Sequence, residues 1–394
     1  MNRSHTKSTS AATPPFARLA DALRRRLREE SPAPGALLGT ETEIAREGGV
    51  SRMTARRAVQ ALIDEGLVER RAGRGVFVRG EGSATRVIRF LAGNLLWAPA
   101  VRVAQAVQED APDAGLAVSV FDARGNLAAL LDELRALPES GTAGAIVMSQ
   151  HDPAFNRALA ALVAANYPFV VVDQALADLP APSVAADNRA GGRLAAEALL
   201  AAGHRRFAFL GDLAADTTAA RAQGVADACA AALVPPPAVF DIPGRRFADW
   251  EPAIRERVAE LLCMRTRPTA LVCSCDAVAL HAIRALADAG LAVPRDMSVT
   301  GFDDDPIAEW SSPALTTVRQ DFAEMGHRAL SALAAQLSAD PPAPAHEAVP
   351  VALVERASIA APRKPLHRRP SKAIDLRRPT AIDRHRRLPA AIAQ

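Results

Sequence analysis

Short apolar runs at residues 87–91, 117–121, 145–148, 169–172, 207–211, 270–273 and 298–302 recur along this chain, with Ala/Leu-rich amphipathic stretches between them. Runs this short match strands buried on both faces, and the stretches between them match covering helices. The alternation predicts a doubly wound α/β architecture built on parallel sheets. It starts at Val87 and stops near Pro362, so the two ends of the chain need a separate account.

At 394 residues the chain has room for two or three domains. Residues 1–13 are small, polar and aperiodic, and are expected to be a disordered lead. Residues 14–80 read as one compact unit, 81–86 as a linker, and 87–361 as the α/β part. Residues 362–394 are basic and punctuated by proline, the composition of a disordered tail. Cys229, Cys263, Cys273 and Cys275 are too few for a disulfide framework in a chain of this size. The N-terminus lacks the apolar stretch of a secretory signal, and no run approaches the roughly 20 residues of a membrane span. A reduced, cytoplasmic protein without a membrane partner is expected. The net charge of +3 conceals an uneven distribution, because basic residues, nearly all Arg, gather in 18–79 and again after 362. That placement points to nucleic acid at one or both ends.

In the first unit Phe16, Leu19, Ala20, Leu23 and Leu27 share one face of a first helix. Thr40 can N-cap a second, with Glu43 completing a capping box, and the helix runs through Ile44 to Glu47. Gly48-Gly49 makes the turn, and Ser51 opens a third helix that buries Val59, Leu62 and Ile63. Gly66 ends it, and residues 67–71 and 76–78 can pair as a β-hairpin around Ala72-Gly73-Arg74-Gly75. Helix, turn, helix and hairpin in this order make a winged helix-turn-helix. The third helix carries short polar residues and Arg at its N-terminal end, and Arg52 and Arg56 share a face able to reach a groove or backbone. A small helical bundle with a charged surface is the structural alternative, and the complete ordered unit argues against it. Residues 51–78, SRMTARRAVQALIDEGLVERRAGRGVFV, resemble the signature of the GntR family, within a match of about 65 positions. The resemblance implies double-stranded DNA as partner, with Ser51, Arg52, Thr54 and Arg56 contacting it. It puts Gly73, beside Arg74, in the wing tip near the minor groove. Thr42 stands where that family often has Arg, and is a candidate contact by position.

In the α/β part, Asp173, Cys275 and Asp303 follow apolar runs, and Arg221 is expected to open a helix after the loop 212–220. Strand C-termini are where open α/β sheets bind ligands. Carboxylates accept from vicinal hydroxyls and a guanidinium donates in a fork, so the set suits a polyol. Helix capping is the alternative for any one Asp. The stretches DNRAGGRLAAEALLAAGHRRFAFLGD from Asp187 and VPRDMSVTGFDDDPIAEWSSPALTTVRQD from Val293 resemble LacI/GalR regulators, which are similar to periplasmic sugar-binding proteins. The resemblance spans about 270 residues, and a GntR-type head on such a body is the arrangement of the arabinose-repressor type. It implies effector contacts at Asp173, Arg221, Asp303 and Gln320, with Arg221 and Asp303 expected on opposite sides of one polar cleft. Asn94 and Trp97 are implied to line the same cleft, with Trp97 stacking on a sugar ring. Cys275 stands where those relatives usually have Asn, so the effector is expected to differ from a common hexose. Two lobes are implied, one of about 87–185 with 317–343, the other of about 186–315 with 349–360.

Cys273 and Cys275 with His281 have the makings of a metal or redox site, but thiols in an Ala-rich strand are expected to pack as small hydrophobes. Gly191-Gly192 lacks the spacing of a phosphate loop and is expected to serve close helix packing. No cofactor, metal or catalytic constellation is expected. The function implied is a DNA-binding repressor relieved by a small effector, a sugar or sugar derivative, acting as a homodimer on a pseudo-palindromic operator. A ligand-dependent activator, or a regulator answering to a non-sugar molecule, are the alternatives. A solute-binding protein would need an export signal, and an enzyme a nucleophile–base pair.

Overall fold

A computed structural model of the chain describes residues 14–363, except for 31, 33–34, 72–73, 79–85, 175–178, 243–246 and 339. The expected lead lies outside the described residues. So do Gly73, the linker apart from Arg86, and the tail apart from Pro362 and Arg363. The chain divides into two compact units, residues 1–86 and 87–394.

The first unit contains α1 (Pro15–Glu30), β1 (Leu37–Gly39), α2 (Glu41–Glu47), α3 (Arg52–Asp64), β2 (Val68–Arg71) and β3 (Gly75–Val78). Thr40 caps α2 as its spacing predicts: its hydroxyl accepts from the Glu43 amide, and the Glu43 carboxylate accepts from the Thr40 amide at 2.8 Å. Leu19, Leu23, Ile44, Val59, Leu62, Val68 and Val76 close a single core. β1 is absent from the sequence expectation. It adds to the hairpin in the order β1-β3-β2, antiparallel throughout. Three residues carry too little pattern to announce a strand, and β1 exists because β3 has an edge to pair with.

The second unit contains two six-stranded sheets. The first is made of β4 (Arg86–Ala92), β5 (Leu116–Asp122), β6 (Gly144–Met148), β7 (Phe169–Val172), β8 (Ser183–Ala186) and β14 (His346–Val349), in the order β14-β8-β7-β6-β4-β5. The second is made of β9 (Phe207–Gly211), β10 (Ala238–Asp241), β11 (Ala270–Cys273), β12 (Ser298–Asp303), β13 (Thr316–Gln320) and β15 (Val351–Val354), in the order β10-β9-β11-β12-β13-β15. β15 runs antiparallel to β13 at one edge. Each sheet is covered on both faces, as the continuous apolar runs require. α4 (Ala98–Asp110) and α12 (Phe322–Gln336) pack on one face of the first, through Val103, Val107, Met325 and Leu333. α5 (Leu127–Ala136) and α6 (Pro153–Ala164) cover the other, through Leu130, Leu134, Phe155 and Leu159. α7 (Asn188–Ala201) and α8 (Asp216–Ala231) cover one face of the second sheet, and α9 (Phe247–Cys263) and α10 (Asp276–Asp288) the other. The short α11 (Pro306–Trp310) follows β12.

The sheets define two lobes whose boundaries differ from the sequence expectation. Residues 316–320, assigned mostly to the first lobe, form β13 and pair with β12 and β15 of the second. The chain returns to the first lobe with α12, and β14 extends that lobe to Val349. The chain therefore passes between lobes at residues 187, 321 and 350. Asp187 and Asp321 are both helix N-caps, accepting from the amides of Ala190 and Glu324 at 2.9 and 3.0 Å. A capping aspartate starts the next element by satisfying one of the backbone donors left open at a helix start, which suits a crossing point.

Candidate functional site

In the first unit Ser51 N-caps α3: its hydroxyl accepts from the Thr54 amide at 3.2 Å and pairs with the Thr54 hydroxyl at 2.9 Å. Arg52 and Arg56 project from the next turns, both exposed, and neither has an ion pair or side-chain hydrogen bond among the described residues. The neighbouring arginines differ. Arg57 lies over the Phe16 ring at 4.5 Å, Arg24 pairs with Glu65, and Arg70 pairs with Glu41 at 2.8 Å. Arg52 and Arg56, expected to face a partner, are thus left unengaged. Met53 lies between them on the same turn with 66 % of its surface exposed, and the sequence expectation passed over it. Thr42 on α2 and Arg74 between β2 and β3 are exposed as well.

In the second unit the parallel registers bring strand C-termini into rows. Met148 is opposite Val172 in the first sheet, and Cys273 is opposite Leu210 in the second. Asp173 follows β7 at 5 % exposure, with φ of 80°. Asp303 ends β12 at 4 % exposure, with φ of 107°. Both hold backbone conformations that a side chain disfavours, which marks functional positions more often than loops at random. Arg221 lies in the second turn of α8 rather than opening the helix, because α8 starts at Asp216. Its Nε donates to Asn188 Oδ1 at 2.8 Å, its Nη1 donates to the Ser274 carbonyl, and its guanidinium stacks on the Phe302 ring at 3.7 Å. Nη1 also lies 3.7 Å from Asp303 Oδ1, which accepts from Gln320 Nε2 at 2.6 Å.

Arg221 and Asp303 were expected on opposite sides of a cleft. Both belong to the second lobe and form a buried pair, and the partner from the first lobe is Asp173. Burial pushes the Asp173 carboxyl up to about 6, against the pull of the Arg221 charge. Burial also holds Asp303 well above the usual carboxylate range, with Arg221 again opposing. Asp276, fully buried, accepts from the Thr317 hydroxyl at 2.6 Å and the Asp305 amide at 2.8 Å, and burial raises it to about 7. It braces the loop after Asp303. Cys275, the residue before α10, has its thiol pushed up to about 12 by burial and by Asp303, and Cys273 is raised too. Neutral thiols at these positions agree with packing. Gly192 serves the packing of α7 on α8, where a Cβ would lie 2.0 Å from the Arg221 carbonyl, and Gly191 the packing of α7 on the sheet, where a Cβ would lie 2.6 Å from the Phe302 ring. Asn94 and Trp97 share no hydrogen bond with Arg221 among the described residues. Asn94 Oδ1 accepts from the Leu96 amide at 2.8 Å, and Trp97 packs, partly exposed, on the apolar core of the first lobe.

Residues 15–78 match the family of bacterial regulatory proteins, gntR family, and residues 171–359 match the periplasmic binding protein-like domain. The chain joins a GntR-type head to a periplasmic-binding-protein-like body. Among curated relatives, the ribose operon repressor of Haemophilus influenzae is 33% identical over 172 residues, 43% of this chain and 51% of that protein. The HTH-type transcriptional repressor PurR of Yersinia pestis is 35% identical over 198 residues, 50% of this chain and 57% of that protein. The chain thus spans about half the length of the curated relatives it matches. A solved LacI family transcriptional regulator from Mycobacterium smegmatis superposes with a TM-score of 0.62 at 26% identity, covering 70% of this chain and all of that one.

The periplasmic-binding-protein-like body thus gathers Asp173, Arg221, Asp303 and Gln320, with Cys275 beside them. The residues that position Arg221 (Asn188, Ser274 and Phe302) were not expected, nor was Gln174, which links the lobes by donating from Nε2 to Asp216. Buried polar atoms without a hydrogen-bond partner collect at the same ends: Ser149 Oγ after β6, Gln174 Oε1 after β7 and Gln320 Oε1 at the end of β13. Buried polar groups are normally paired, so a cluster of exceptions points to a ligand. Among the described residues no helix is long and apolar enough to cross a membrane, and no His/Cys/Asp/Glu group could hold a metal ion.

Proposed function

We propose that this chain is a DNA-binding transcription regulator controlled by a small ligand, acting as a repressor that a sugar or sugar derivative releases. The observation that carries the reading is the pairing, in one chain, of a GntR-type head with a body whose strand ends hold buried polar atoms without partners alongside the buried Arg221–Asp303 pair. In the head, Arg52 and Arg56 reach base edges or phosphates, and Met53 between them offers an apolar contact for a thymine methyl. In the body, the acceptors take donors from ligand hydroxyls, and Arg221, Asp173 and Asp303 fix its orientation. The relatives' names, a ribose operon repressor and two regulators of transcription, favour regulation over catalysis, and a cytoplasmic setting is part of the same proposal.

The protein works as a two-fold dimer on a pseudo-palindromic site, since two heads give two half-sites. Trp310 and Ile307, 80 % and 54 % exposed on α11, supply apolar surface for that contact. Ligand binds the closed form of the two lobes more tightly than the open one and so shifts the population, and the dimer's affinity for DNA follows.

The test is selection of duplexes from a random pool by the full chain, followed by titration of the selected site with and without neutral monosaccharides. A preferred sequence is expected, with affinity lowered by at least one sugar. Arg52→Ala and Arg56→Ala should each weaken binding by roughly 1–3 kcal/mol without lowering the melting temperature. Absence of any preferred sequence, or wild-type affinity in both variants, overturns the reading.

A further inference from the structure

Gln174 bridges the two lobes, a part that the function above does not assign to it. It follows Asp173 at the C-terminal end of β7 in the first lobe, and is 3 % exposed. Its Nε2 donates to Asp216 Oδ2 in the first turn of α8, in the second lobe. Its Oε1 is buried and has no hydrogen-bond partner. The Asp216 carboxylate decides which way the amide lies, since the flipped amide would set two acceptors against each other. The unpaired atom is therefore an acceptor. The neighbouring Asp173 carboxyl also receives no side-chain hydrogen bond among the described residues, and it feels the Arg221 charge from the other lobe. Among the described residues, two adjacent acceptors of one lobe thus have no side-chain hydrogen bond where the two lobes meet.

We propose that Gln174 is the residue that senses the ligand and reports it to the second lobe. Oε1 accepts from a hydroxyl or amine of the ligand, while Nε2 holds Asp216. This rests on the reading of the cleft as a ligand site given above. A buried acceptor left unpaired is costly, and a ligand donor removes that cost only while the lobes are together. Accepting at Oε1 polarises the amide and strengthens the Nε2–H bond to Asp216, so one planar group links occupancy to closure. The ligand must therefore present a donor at this point. A compound with only an ether, a carboxylate or a phosphate oxygen there would meet acceptor with acceptor.

The experiment uses the full chain with Gln174→Leu, Asp216→Ala and Arg221→Lys. D-ribose, D-xylose, L-arabinose, D-glucose and D-galactose are screened by melting shift, and the sugar with the largest shift is titrated by calorimetry. Gln174→Leu should melt like the wild type, because an unpaired acceptor has been removed, yet bind about ten-fold more weakly. Asp216→Ala, at an exposed residue, should also weaken binding, and in small-angle scattering should keep a larger radius of gyration with sugar present than the wild type has. If Gln174→Leu does not fold, Asp216→Ala decides alone on the same two readouts. Wild-type affinity in Gln174→Leu or in Asp216→Ala, with Arg221→Lys impaired, overturns the proposal and leaves the cleft standing. No shift with any of these sugars, or full affinity in Arg221→Lys as well, removes the cleft and the proposal together.

Discussion

The Ser51 hydroxyl both caps α3, accepting from the Thr54 amide, and stands among the candidate DNA contacts. Substitution can separate the roles. Aspartate caps a helix as well as serine and adds a favourable charge at its N-terminus, so Ser51→Asp should leave the head's melting temperature unchanged or higher. The same charge would face phosphates, and affinity for the selected duplex should drop ten-fold or more. Undiminished DNA binding in that variant would take Ser51 off the interface. Asp173 makes a second prediction. Its folded pKa, about 6, lies above the ordinary 3.8, so the fold favours the protonated form. Its contribution to stability is fully present below pH 4 and is lost as pH rises through 6, by roughly 3 kcal/mol for a two-unit shift. Asp173→Asn should match the wild type's melting temperature at pH 4 and exceed it at pH 8, and equal melting at both would mean the carboxyl is not desolvated. The positions of Asp173 and Asp303 were legible in the sequence because each follows an apolar run, and Gln320 was legible only through the family resemblance. The nest of Arg221 was not, since Asn188 and Ser274 lie 33 and 53 residues away from it along the chain.

Among the elements, α7 and α8 decide where Arg221 can be. Cβ atoms at Gly192 and Gly224 would lie 2.0 Å from the carbonyls of Arg221 and Arg189, so the two backbones touch where the helices cross. Gly192→Ala has to push the helices apart, and should cost about 3 kcal/mol in denaturant unfolding. It should also remove the sugar-induced melting shift by displacing the guanidinium from Asp303. A variant that unfolds like the wild type would show the crossing to be looser than these distances. The short apolar runs announced β4, β5, β6, β7, β9, β11 and β12 in the sequence. β8, β10, β13, β14 and β15 are four or five residues long, and several are polar or half-exposed, as in His346–Val349. What makes these strands is the neighbouring strand to which they hydrogen-bond, and no single segment carries that information. The lobe boundary was misjudged for the same reason, because Thr316–Gln320 can be placed only by its partners.

Over the whole periplasmic-binding-protein-like body, each lobe is assembled from separated stretches of chain. β14 completes the first sheet and β15, directly after it, completes the second, so neither lobe is finished until the last part of the body is in place. The body should therefore unfold in one calorimetric transition despite having distinct cores, with van't Hoff and calorimetric enthalpies equal for that peak. Two separable peaks within the body would show that the lobes are independent. Of its three crossings, the last is the shortest: β14 ends at Val349, β15 begins at Val351, and the residue between them is Pro350. The pyrrolidine ring fixes φ at that residue. At this crossing the ψ of Pro350 is the torsion left free between the two strands, so any turn of one lobe against the other at this point is a rotation about a single axis written into the covalent chain.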